Sequence, residues 1–357
     1  MPSPTIVASG GAYRLYDGSV QTFDQLPAGT YSIEFSPMTG YSLRDAEPLE
    51  AGDEKVYGDH LDRVRRISHS YQAMSRSLGV ILSGDKGMGK SLMIRMLAER
   101  MREEHSLPVV LVQQSTPGLA AFLDELGDAV VVFDEFEKIF PNSGEQEAQN
   151  QFLSLFDGLS TTKRLYVLSV NNLHLVNDFM LNRPGRFHYH MRFNYPDQTT
   201  IENYLTDQVP NISTQDVMDI IEFSRKYNLN FDHLRAIAFE LNLGERFADV
   251  IGDLNIKRLQ ASDQHVELRL TQVDGEVISL ACRIDLFDLE GVQRVTDYAS
   301  GFEIAFRVRD AVSTAEGYQL QPNHVQVISL DDDKPEPPKF TKILLRRAVH
   351  AQMDFAL

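Results

Sequence analysis

The run Gly84-Asp85-Lys86-Gly87-Met88-Gly89-Lys90-Ser91 constrains this chain more than any other segment. It fits the pattern G-x-x-x-x-G-K-[ST], with an apolar run, Val80 to Ser83, before it and a helix-compatible stretch, Leu92 to Arg102, after it. Glycines let main-chain amides turn inward, and the N-terminus of the following helix adds partial positive charge, so such a loop is built to hold phosphate. Lys90 would then sit against the β and γ phosphates, and the Ser91 hydroxyl would bind magnesium. The bland reading, a glycine-rich turn before a surface lysine, occurs by chance in roughly one chain per hundred and seldom between a strand and a helix.

A magnesium triphosphate also needs a carboxylate site. Val130-Val131-Val132-Phe133-Asp134-Glu135 supplies one, an apolar strand delivering two acids at its carboxyl end, where ligands gather in open α/β sheets. Adjacent residues of an extended strand point in different directions. Asp134 can therefore hold the metal while Glu135 faces the water that attacks the γ-phosphate.

Four apolar runs rich in β-branched residues, Val80 to Ser83, Val109 to Gln113, Ala129 to Phe133 and Leu165 to Val170, alternate with helical patterns. That alternation predicts an α/β fold with a parallel sheet flanked by helices. Helical spacing over Val217 to Tyr227 and Phe231 to Leu241 predicts a helical subdomain. After His265 the pattern turns to strands, with a hairpin cue at Asp274-Gly275. The expected division is a β-rich N-terminal region at 1–53, a large α/β subdomain at 54–197, a helical lid at 198–260 and a β-rich C-terminal domain at 261–357, with an acidic, proline-rich linker near 331–339.

Composition narrows the function. A net charge of −17 works against a broad surface that tracks nucleic-acid phosphates. The single cysteine, Cys282, excludes an internal disulfide framework and any multi-cysteine zinc site, and suits a reducing compartment. No start resembling a secretory signal and no apolar stretch of about 20 residues is present, so a soluble, cytoplasmic protein is expected.

From about Val56 to Leu241, roughly half its length, the chain resembles the AAA family of ATPases within the P-loop NTPases. After the phosphate loop and Asp134-Glu135 come Leu155 to Leu159 (LFDGL), Tyr166 to Asn172 (YVLSVNN) and Leu181 to Phe187 (LNRPGRF), in the family's order and approximate spacing. The resemblance implies binding of ATP with Mg2+, hydrolysis, and a homo-oligomeric ring, commonly a hexamer. It implies that Arg183 and Arg186 reach the γ-phosphate of a neighbouring subunit as arginine fingers. It makes Asn172 the polar sensor beside the lytic water, with Asn171 the alternative one residue away. Tyr57 and Gly58 match backbone contacts on the adenine side, and Arg235 matches a lid arginine or is a solvated helix residue.

Two departures matter. Asp85-Lys86 replace the usual Pro-Pro, in a loop where main-chain amides do most of the binding. The stretch Ser115 to Asp128 is short and has no aromatic before Phe122, where protein unfoldases carry an aromatic pore loop, so threading of unfolded chains is not expected. The shortened stretch also partly resembles the mitochondrial AAA translocase that moves a folded iron-sulfur protein. Three functions compete: an ATPase that remodels a protein partner, a nucleic-acid-associated loader or phage-type replication helper, and a nucleotide-dependent scaffold without hydrolysis. The acidic charge disfavours the second, and intact Asp134 and Glu135 disfavour the third. The client itself is not written in the sequence.

Overall fold

Buried parallel strands need apolar side chains on both faces, and three runs of this chain provide them. In the computed structural model β5 (Leu78–Ser83), β7 (Ala129–Phe133) and β8 (Arg164–Val170) are buried at every position. They form the middle of a sheet that also holds β3 (Thr30–Ser36), β4 (Gly40–Asp45), β6 (Val109–Val112) and β9 (Tyr189–Arg192). The order is β4-β3-β6-β7-β8-β5-β9, parallel throughout except for the β3–β4 hairpin. The structure describes residues 5–9, 11–17, 20–52, 55–141, 149–157, 162–177, 179–181, 183, 185–256, 265–314, 316–330 and 337–347.

The sheet is flanked by α1 (His60–Ala73), α2 (Lys90–His105) and α3 (Leu119–Glu125), with short turns α4 (Phe136–Ile139) and α5 (Leu153–Phe156) beyond β7. Behind the carboxyl end of β7, Phe133, Phe136, Phe140, Phe152 and Phe156 pack ring against ring, all within 2% of full burial. This cluster seats the turn that carries Asp134 and Glu135.

The sequence predicts a separate β-rich region at 1–53, and the structure places part of it elsewhere. Strands β1 (Thr5–Ser9) and β2 (Ala12–Tyr16) do make their own two-stranded sheet. The β3–β4 hairpin instead joins the central sheet, with Thr30, Tyr31 and Ser32 opposite Val109, Val110 and Leu111 of β6. A strand at the border of a sheet leaves backbone donors and acceptors open, and β3 satisfies those of β6. Tyr41 fastens the hairpin to the β6–α3 connection. Its ring stacks on Phe122 at 4.6 Å, and its hydroxyl lies 2.9 Å from Thr116 Oγ1 and donates to the Pro117 carbonyl at 2.8 Å.

Two compact units divide the chain between Asn194 and Tyr195. The second begins with α6 (Gln198–Gln208), α7 (Thr214–Lys226), α8 (Phe231–Asn242) and α9 (Phe247–Val250). Side chains of Asp197, Ser213 and Asn230 cap the first three, which is why those helices start where they do. The strands that follow are β10 (His265–Gln272), β11 (Val277–Arg283), β12 (Val292–Asp297), β13 (Phe302–Arg307), β14 (Ala311–Thr314), β15 (Gly317–Leu320), β16 (Gln326–Ser329) and β17 (Phe340–Arg347). They form sheets in the orders β11-β10-β17-β15-β14 and β12-β13-β16 around one apolar core. Asp274-Gly275 makes the expected β10–β11 turn. Of the expected linker, residues 331–336 lie outside the described residues. Burial pushes the Cys282 thiol on β11 up to about 11, so it is no nucleophile at neutral pH. Among the described residues no helix is long and apolar enough to cross a membrane.

Candidate active site

The loop after β5 turns on glycines that nothing larger could replace. Gly84 has φ +149, and a Cβ there would fall 2.5 Å from the Phe193 carbonyl oxygen. Gly89 has φ +92, and a Cβ there would press on His60 Nε2 at 3.0 Å. Gly89 also stands at the N-cap of α2 without a side-chain cap, so the first amides of this 16-residue helix are left to an anion. Asp85, Lys86, Gly87 and Met88 complete the loop, with Met88 buried beneath it.

Lys90 is only 6% exposed. Its ammonium donates to the carbonyls of Gly84 and Asp85 at 2.6 and 2.7 Å and to Asn171 Oδ1 at 2.9 Å. Burial lowers its pKa, and the charges of Asp85, Glu137, Asp134 and Glu135 oppose that fall. The acids from β7 are therefore close enough for their fields to reach the loop lysine. Ser91 lies exposed on the first turn of α2.

The acid pair diverges for a reason other than strand alternation. β7 ends at Phe133, and Glu135 adopts φ 54 and ψ 52, a left-handed conformation that a non-glycine residue holds only where its surroundings enforce it. Asn171 Nδ2 donates to Glu135 Oε1 at 3.0 Å, Lys138 Nζ donates to Oε2 at 2.5 Å, and Lys86 Nζ lies 3.7 Å from Oε1. The Lys138 ammonium, chiefly, holds the Glu135 carboxyl below the usual carboxylate range, with Asn171 and Lys86 helping against the effect of burial. The glutamate is thus ionised at neutral pH.

Of the two asparagines, Asn171 is the one the structure brings between Lys90 and Glu135. Asn172, the sensor expected from the resemblance, points away and accepts from the His174 amide at 3.0 Å, capping a short 3-10 turn. The cause is local. Glu137, buried among the phenylalanines, accepts the Asn171 amide on Oε1 at 2.9 Å and so fixes where β8 stops and which side chain faces the loop.

The two arginines part company. Arg186 is 7% exposed, paired with both carboxylate oxygens of Asp157 and donating to the Phe179 carbonyl at 2.6 Å. The Asp157 contact raises the Arg186 pKa and lowers that of Asp157. Within this chain its guanidinium is thus held by Asp157 and the Phe179 carbonyl, contacts that compete with the finger role the resemblance implies. Arg183 is exposed, over the Phe179 ring at 6.0 Å. The Arg186 carbonyl lies against Gly79 at the start of β5, roughly 16 Å along that strand from Gly84. Arg183 therefore sits at the opposite end of the sheet from its own phosphate loop.

Tyr57 carries Lys55 over its ring at 5.7 Å, and Gly58, at φ +85, leads into α1 beside His60. His60 thus stands between Gly58 and the loop, 3.6 Å from a Cβ placed at Gly58 and 3.0 Å from one placed at Gly89. Arg235 stands on α8 of the second unit, ion-paired with Asp232 at 3.4 Å. Two residues that sequence reasoning missed join the site, Ser169 and Glu137, and neither has a local signature that would have found it.

Magnesium suits the donors present. Ser91 and Asp134 offer hard oxygens at exposed positions, and Mg2+ is commonly held by one or two protein oxygens, substrate phosphates and water. Among the described residues no group of three His, Cys, Asp or Glu gathers that could hold a metal unaided.

His190, on β9, marks the loop's underside and has a pH signature. Its Nε2 lies 2.7 Å from Ser83 Oγ, and burial first, then Arg192, pushes its pKa down to about 4 from 6.5. The unfolded chain binds the extra proton, so stability is complete above the ordinary value and declines as pH falls toward 4. We expect about 1–2 kcal/mol to be lost between pH 7 and 4.5, less than full linkage because the ring is only partly buried. Denaturant titrations across that range should show the slope in the wild type and a flatter one in His190→Gln.

The family whose description is "ATPase family associated with various cellular activities (AAA)" matches residues 80–195. The human peroxisomal ATPase PEX1 is 25% identical over 242 residues, 58% of this chain and 19% of that protein. The vesicle-fusing ATPase of Dictyostelium discoideum is 24% identical over 40% of this chain and 23% of its own length. The ATP-dependent zinc metalloprotease FtsH of Mycoplasmoides gallisepticum is 26% identical over 55% and 27%. The chain thus spans about a fifth to a quarter of the length of these relatives.

Proposed function

We propose that this chain, whose residues 80–195 match the AAA family of ATPases, binds ATP with magnesium and hydrolyses it to ADP and phosphate. One observation carries the reading. The chain of contacts from Lys90 through Asn171 to Glu135 gathers the phosphate loop, the end of β8 and the end of β7 around one point. Loop amides, the α2 terminus and Lys90 hold the triphosphate, with Ser91 and Asp134 toward its cation. The magnesium ion, when bound, neutralises charge on the phosphates. Glu135, ionised and oriented by Asn171, positions the attacking water and accepts its proton.

Arg183 supplies the missing positive charge from a neighbouring copy, so the active form is a ring-like homo-oligomer. Relatives named for vesicle fusion and for proteolysis suggest that turnover is coupled to remodelling a protein client. The reading is tested by phosphate release from magnesium-ATP together with light scattering with and without a non-hydrolysable ATP analogue. Turnover that needs magnesium, accompanied by assembly, is the expected result. A protein that stays monomeric at full turnover would remove the ring, and one that binds no adenine nucleotide would remove the whole reading.

A further inference from the structure

We infer that Ser169 is a positioning residue for the acid pair: its single hydroxyl holds both the carboxylate of Asp134 and the main chain that aims Glu135. The inference rests on the hydrolytic reading of the site given above. Ser169 lies on β8 at 1% exposure, where its neighbours Leu165, Tyr166, Val167, Leu168 and Val170 are all buried and largely apolar. A hydroxyl in such a strand needs partners. Both come from the acid turn. The Glu135 amide donates to Ser169 Oγ at 2.8 Å, and Ser169 Oγ lies 2.5 Å from Asp134 Oδ1. An amide can only donate, so the hydroxyl spends a lone pair there and its one proton goes to Asp134.

That polarity couples two functions. Bonding to Oδ1 orients the carboxylate that faces the cation, while accepting the amide supports the left-handed backbone of Glu135. Asn171 and Lys138 hold the far end of the Glu135 side chain, and Ser169 holds its root. Groups that orient a metal-facing carboxylate typically change metal affinity or activity by about 10–100-fold.

The test uses the full chain with Ser169→Ala, Ser169→Thr and Ser169→Cys. For each we would measure kcat, the magnesium concentration giving half-maximal turnover, and affinity for a fluorescent ATP analogue without magnesium. Ser169→Ala should lower kcat and raise the magnesium requirement, each about 10-fold or more, with metal-free nucleotide affinity unchanged. Ser169→Thr, which keeps the hydroxyl, should recover most of both. Ser169→Cys, a weak hydrogen-bonding group, should fall between, and it decides the matter if Ser169→Ala does not fold. Unchanged kcat and magnesium dependence in the folded alanine or cysteine variant, beside an active wild type, overturns this inference alone. A parallel loss of nucleotide affinity and thermal stability without recovery in Ser169→Thr also overturns it, in favour of a purely structural serine. A wild type that binds no nucleotide overturns both this inference and the reading beneath it.

Discussion

Glu135→Gln should lower kcat for ATP by about 10²–10⁴-fold and leave nucleotide affinity nearly unchanged, because it removes the proton acceptor while sparing the loop that holds the phosphates. A glutamine keeps the shape of the side chain, and its one carbonyl oxygen can still accept from Asn171 Nδ2 or Lys138 Nζ, while its amide nitrogen, a donor, loses the other bond. What it cannot do is take a proton from water. Lys90→Ala provides the contrast, since it deletes the ammonium held by the Gly84 and Asp85 carbonyls and should weaken binding itself. Single-turnover phosphate release and analogue titrations separate the two effects. Turnover within threefold of wild type in Glu135→Gln would defeat its assignment as the base.

The second large effect separates two arginines that look alike in the sequence. Arg183→Ala should cost on the order of 10³-fold in kcat of the assembled form, the scale of an arginine finger, and should leave the melting temperature unchanged because the side chain is exposed. Arg186→Ala should act through stability instead. It breaks the pairing with Asp157 and the bond to the Phe179 carbonyl, at a cost of about 2 kcal/mol. That is less than a fully buried ion pair would cost, since Asp157 is 38% exposed and can rehydrate. Mixing Arg183→Ala with Lys90→Ala should restore turnover that neither has alone, because a neighbour with Arg183 then meets an intact loop. Full activity of Arg183→Ala by itself would remove the shared site.

Local chemistry was legible in the sequence where one short segment decides it. The loop Gly84 to Ser91 announces itself because strand, glycines, lysine and helix are contiguous, and the buried strands announce themselves as unbroken apolar runs. The rest depended on partners far along the chain. A residue at the end of a strand faces one side or the other according to where pairing stops, so choosing between Asn171 and Asn172 required Glu137, 34 residues earlier. The motif named Arg186 but could not reveal that Asp157 holds it. The sequence of residues 1–53 indicated a β-rich region without saying that part of it would pair with β6. Ser169 looked like one small residue in an apolar strand, and its two bonds arise only when β7 and β8 lie side by side.

The seam between β3 and β6 has a mechanical consequence. Those strands run in the same direction, and their hydrogen bonds lie across the line along which tension on the preceding segment would act. Such a pull loads the rungs together in shear instead of peeling them one after another. Tyr41 adds a clasp between the hairpin and the connection after β6. A tug upstream of Thr30 would therefore be delivered to the sheet that carries the loop lysine and the acid turn, the hairpin and that sheet taking the load as one.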